Sequence, residues 1–207
     1  MAHGSLFAAV IGSLALSFSA SAESPSFHLV LSDGNLQLKG DANRIAENVA
    51  RSFREMGIEV TWSFDPSDPS LPVSNVVNVI ILPRASEDWQ MSPGVLAATR
   101  RDPDSQAVVI VFYKEVERIL NVRQPLATQS LQGWRAPGRR IVNGVARIVV
   151  HEILHYFLPG RPHDAEGVFM DHVGGNLLAR SSFEVSDETR DALVATLRAD
   201  PKAGSTR

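Results

Sequence analysis

His151-Glu152-Ile153-Leu154-His155 is the stretch of this 207-residue chain whose residue types and spacing could do chemistry. Residues i and i+4 of a helix lie one above the other on one face, so two imidazoles at that spacing reach a single tetrahedral ion. The glutamate between them then lies beside the ion's open position, where a water must give up a proton. The alternative is a pair of core histidines bonded to backbone groups. Against it, two histidines and a carboxylate on the buried side of a Val-, Ile- and Leu-rich helix would each need a partner, and one cation with its water supplies all three. The reading taken is one catalytic Zn2+ held by His151 and His155, with Glu152 as general base.

A catalytic zinc needs a third protein ligand. Pro159 has no backbone N–H and its ring clashes with the carbonyl of His155, so the helix should end near Leu158, and Gly160 lets the chain turn. The next imidazole is His163, the preferred third ligand. Asp164, Asp171, His172 and Glu184 are the other candidates, Glu184 disfavoured because it precedes the predicted last helix.

Composition narrows the alternatives. With no cysteine, a disulfide framework, a thiolate metal site and a thiol nucleophile are excluded, and any metal rests on His, Asp and Glu. A formal net charge of -3, from 20 Lys+Arg against 23 Asp+Glu, gathers no polyanion, so nucleic acid is not an expected partner. Leu6 to Ala20 is an uncharged apolar run ending in Ala20-Ser21-Ala22. It reads as a signal peptide over residues 1–22, cleaved near Ala22, which predicts a secreted or periplasmic protein. The run is shorter than the roughly 20 residues that span a bilayer, so no stable membrane insertion is expected.

The elements that must position the site are legible from periodicity. Phe27–Leu31 predicts a buried strand. Asp41 caps a helix with Ile45, Val49, Phe53 and Met56 on one face and Gly57 as its stop. Strands are predicted at Ile58–Phe64, Val76–Leu82 and Gln106–Tyr113, a loop at Asp65–Pro72, an edge strand at Gly94–Thr99 and a short helix at Lys114–Asn121. A long helix is predicted from Arg139 to Leu158, its apolar stripe running into His151, Glu152 and His155. Ser186 caps a last helix to Ala199, with Asp187 and Glu188 in its first turn. Trp62, Trp89 and Trp134 are read as core or cleft lining, and Arg135, Arg139 and Arg140 as a solvated helix start. The result is a single α+β domain over residues 23–200 with a tail at 201–207.

His151, Glu152, His155, Gly160, His163 and Asp164, followed by Gly167-Val168-Phe169-Met170, resemble the metzincin zinc metalloproteases, whose pattern is HExxHxxGxxH(D) and a later Met-turn. The His155–His163 interval is two residues longer than in that pattern. The longer interval is similar to a group of small secreted bacterial metalloprotease-like proteins with HExxHxLLxxxxHxxxGxM. From this the chain departs by Phe157 in place of the first Leu and by Met170 falling one residue later after Gly167. Val111–Ile119 and Phe183–Leu193 also look similar to that group, and the likeness covers Gln106 to Leu197. The resemblance implies a zincin-like domain: a twisted mixed sheet, a long active-site helix, a Met-turn at Met170 beneath the metal and a C-terminal helix. It also implies an exposed edge strand that pairs with substrate backbone. Asp164 is read as a support that fixes an imidazole or the following turn, or else as a solvated loop acid. The implied activity is endopeptidase hydrolysis of a peptide or protein by zinc-activated water, with Glu152 as general base. The rival expectation is a secreted binding module that keeps zinc for stability alone.

Overall fold

The computed structural model describes residues 24–33, 40–68, 75–86, 89, 91, 94–101, 107–120, 135–171, 174–180 and 182–199. The expected signal peptide, the tail at 201–207, Trp134 and His172 lie outside these residues. Five strands, β1 (Ser26–Asp33), β2 (Glu59–Ser63), β3 (Val76–Leu82), β4 (Ala97–Arg101) and β5 (Ala107–Phe112), form one mixed sheet in the order β2-β1-β3-β5-β4. All neighbours pair parallel except β4, which runs antiparallel to β5. The protein is therefore α+β, with helices α1 (Ala42–Glu55), α2 (Tyr113–Ile119), α3 (Arg135–Phe157), α4 (Gly175–Leu178) and α5 (Asp187–Ala199).

Alternation along the central strands decides which face carries the core. Phe27, Leu29 and Leu31 of β1, Val77, Val79 and Ile81 of β3, and Ala107, Val109 and Val111 of β5 all join one buried cluster. The stripe of α1 that includes Ile45, Val49 and Phe53 packs into the same cluster, with the Phe53 ring edge-on to Phe27 at 4.9 Å. Alongside α1 lies α3, which touches β4 and β5 on this side and α4 and α5 beyond. It is buried nearly all round between Ile141 and Leu154, as a helix enclosed by other elements must be.

Several boundaries differ from expectation. The long helix begins at Arg135 rather than Arg139 and so includes Pro137; the first turn of a helix has no use for its N–H groups, so a proline there costs nothing. Arg139 and Arg140 are exposed, as expected. Asp41 precedes α1 but makes no capping bond; its carboxylate accepts from Arg44 Nη1 at 2.8 Å instead. The edge strand runs from Ala97 to Arg101 rather than from Gly94. Tyr113 opens α2 rather than closing β5. Helix α4, only four residues long, carried no periodic signal. Trp62 packs partly buried against the core, whereas Trp89 is among the exposed large apolar residues, its ring centroid 5.9 Å from that of Phe112. Among the described residues, no helix is long and apolar enough to cross a membrane.

Candidate metal centre

Helix α3 delivers His151 and His155 one turn apart, and the chain then reverses. Leu158 N–H still bonds to the Leu154 carbonyl at 2.8 Å, Pro159 stops the helix, and Gly160 takes a left-handed φ of +74°. That turn brings His163 back against the helix. His155 Nε2 lies 3.0 Å from His151 Nε2 and 3.0 Å from His163 Nε2, and the three ligand atoms fall within 4.8 Å of one another. Two nitrogens bound tetrahedrally to one zinc stand about 3.3 Å apart, so the two 3.0 Å pairs lie near the spacing such an ion requires.

Protonation favours the same role. His151 Nδ1–H donates to the Val168 carbonyl at 2.8 Å, which leaves Nε2 with its lone pair turned toward the other imidazoles. Burial, followed by the neighbouring His151 and His163 rings, pushes His155 down to about 4. It is therefore neutral at pH 7. The one Nε2 of neutral His155 meets two other imidazole nitrogens and either donates its single proton or offers its single lone pair, so it cannot satisfy both contacts as well as a cation among the three would.

The backing of the site comes from residues 164–170. Phe169 is fully buried, and its ring lies 5.6, 4.9 and 5.2 Å from the rings of His151, His155 and His163. Met170, expected beneath the metal, lines a separate depression with Arg147, Gly167 and Glu184. The signal was in the register: in the resembled GxM pattern the position two after Gly167 is 169, and here it holds phenylalanine. Gly167 has φ +89°, and a Cβ there would collide with the Glu184 carbonyl, which accepts Val168 N–H at 2.7 Å. Only glycine lets the Val168 carbonyl reach His151.

Among the described residues, Asp164 makes no hydrogen bond to an imidazole. Its carboxylate accepts from the Thr189 hydroxyl at 2.7 Å and from Ser186 N–H at 3.4 Å, while its own N–H closes the loop onto the Phe169 carbonyl at 2.8 Å. These bonds tie the turn to the start of α5. Ser186 caps that helix as expected, accepting Thr189 N–H at 3.1 Å. Of the other ligand candidates, Asp171 Oδ1 lies 3.7 Å from His163 Nδ1, behind the ring, and Glu184 is exposed and outside the cluster.

Glu152 is held from the sheet. Thr99 Oγ1, on the edge strand β4, donates to Glu152 Oε2 at 2.6 Å. No spacing rule joins Thr99 to Glu152, 53 residues away, so sequence reading missed it. Beside this pair opens a cleft of about 420 Å³, walled by Leu96, Ala97, Ile119, Ile148 and Leu178 and containing His151 and Glu152. No family model matches the chain, and no curated protein matches it.

Proposed function

We propose that the chain is an exported, zinc-dependent endopeptidase with a metzincin-like domain, in which His151, His155 and His163 hold the metal. The observation that carries this reading is the convergence of three imidazole Nε2 atoms next to a carboxylate positioned from a second element. A bound zinc supplies a Lewis acid that acidifies water and polarises a carbonyl. The remaining tasks fall to the chain itself. Glu152 takes the proton from water at its carboxylate and returns it to the leaving amine, and Thr99 keeps that carboxylate in one orientation. Among the described strands β4 is the edge strand beside the cleft, so an extended peptide can pair along the side that none of them occupies and present a carbonyl to the site. Phe169 excludes water from behind the imidazoles, which strengthens electrostatic interactions there.

The test is a zinc-loaded protein incubated with a mixed peptide library, its cleavages mapped by mass spectrometry. Glu152→Gln is expected to retain stoichiometric zinc and lose about 10²–10⁴ in turnover. His163→Ala is expected to lose the zinc. Cleavage by Glu152→Gln at the wild-type rate would refute the assignment of the base. Zinc binding without any Glu152-dependent cleavage would instead support a zinc-stabilised binding module.

A further inference from the structure

Arg147 lies one turn before His151 on α3, on the same helical face, and the peptidase mechanism does not use it. It is only 1% exposed and is the largest of the fully buried side chains. Its Nη2 donates to the Ser182 carbonyl, and its guanidinium carbon stands 4.8 Å from the Phe183 ring centroid. Its Nε is buried and makes no hydrogen bond. Among the described residues no carboxylate forms an ion pair with it; Glu184 acts on it only from further away, opposed by the charge of Arg180. Burial, the largest cause, pulls the group down to about 10, which leaves it fully charged at neutral pH. An internal cation with an orphaned donor and no paired anion is costly to keep.

Arg147 also lines the apolar cleft that contains His151 and Glu152. Four residues of helix place it about 6 Å along the axis from His151, within one side-chain length of the reacting groups. The apolar walls suit methylene groups, and among the described lining residues Arg147 is the one Lys or Arg, set in the same cleft as the carboxylates of Glu152 and Asp171; its guanidinium suits an anion at the end of those methylenes. A guanidinium fork matches a carboxylate.

We propose that Arg147 is the specificity-determining residue of this cleft and binds a peptide carboxylate, either an Asp or Glu side chain flanking the scissile bond or the C-terminal carboxylate. The proposal rests on the peptidase reading for its substrate, and its C-terminal form would turn the endopeptidase of that reading into a carboxypeptidase; the carboxylate site itself does not require turnover.

Two measurements on the full chain test it. In the first, metal-free protein is titrated with N-acetylglutamate α-amide, N-acetylglutamine α-amide and N-acetylleucine, so that no ligand can bind through zinc. Wild type should bind a carboxylate ligand at least tenfold more tightly than the glutamine amide. Preference for the glutamate ligand identifies a side-chain carboxylate, and preference for N-acetylleucine a C-terminal one. Arg147→Met should abolish the discrimination and Arg147→Lys should keep part of it. In the second, cleavage maps of the zinc-loaded protein should show Asp and Glu enriched at least tenfold over Asn and Gln at one flanking position, or cuts confined to peptide C-termini. Equal binding of acid and amide by wild type, with cleavage blind to acidic residues, would overturn the proposal and leave Arg147 as a strut for Ser182, with the peptidase reading intact. Acid discrimination without any cleavage would uphold the carboxylate site and sink the peptidase reading. If Arg147→Met fails to fold, the wild-type acid and amide pair and Arg147→Lys still decide the question.

Discussion

On one side of α3, the sheet and α1 bury a continuous apolar layer in which Phe27, Val79, Val109 and Phe53 lie at 0–3% exposure. On the other, among the described residues of 158–186, Leu158, Val168, Phe169, Leu178 and Phe183 join the same core, and the turns between them are tied by single polar bonds: His151 to the Val168 carbonyl, Val168 N–H to the Glu184 carbonyl, Asp164 to Thr189, Arg147 to the Ser182 carbonyl. The first region resists change because its stabilisation is spread over many contacts. The turns of the second depend on a few carbonyls and one glycine, and a bound metal would add a link between His163 and the two histidines of α3. The sheet side thus carries stability and the looped side carries the site, with α3 shared by both.

The largest expected effect breaks the apolar side alone. Phe53→Ala should cost about 3–5 kcal/mol in urea unfolding, while zinc affinity of the folded protein stays within a factor of two or so. A large loss of zinc affinity would show that the two sides are not separable. Gly167→Ala does the reverse, since the added Cβ meets the Glu184 carbonyl and displaces Val168 from His151. Zinc affinity should fall about 10–100-fold by competition with a chelating dye, and an unchanged affinity would remove the Val168 bond from the account of the site.

Acid acts on the looped side as well. The folded chain holds His155 unprotonated down to about pH 4, whereas in the unfolded chain it takes up a proton near its ordinary value of 6.5. Between those values the unfolded state binds more protons, so the metal-free protein should lose stability as pH falls through that window and keep it in full above. Thermal melts from pH 4 to 7 should show this slope, and His155→Gln should flatten it. The smallest effect expected is at the seam between the two sides. Thr99→Val removes the 2.6 Å bond to Glu152 while keeping a β-branched strand residue. Turnover should fall about three- to tenfold with zinc and melting temperature unchanged. A drop in zinc content would mean that Thr99 supports the fold rather than the base.

How much of this was legible in the sequence follows the same division. Val76–Leu82 matches β3 residue for residue, and Ser186 caps α5, because strand alternation and helix caps are decided by neighbours in the chain. His151 and His155 were readable for the same reason, their spacing being a property of any helix. His163 was reachable because Pro159 and Gly160 announce the turn that returns it. Phe169, Thr99 and Arg147 were not singled out. A phenylalanine behind three imidazoles, a threonine 53 residues from its glutamate and an arginine without a counter-ion among the described residues look ordinary until distant segments are packed together.

The sequence by itself determined a cysteine-free chain with two imidazoles and a carboxylate on one buried helix and a third imidazole just beyond its end. These are consequences of local periodicity and of backbone rules for proline and glycine. Only the tertiary structure decided that the three Nε2 atoms meet, that β4 steadies Glu152, and that Arg147 lines the cleft beside them. Those contacts join residues far apart in the chain, and their geometry is set by how the sheet, α3 and the looped segment close on one another.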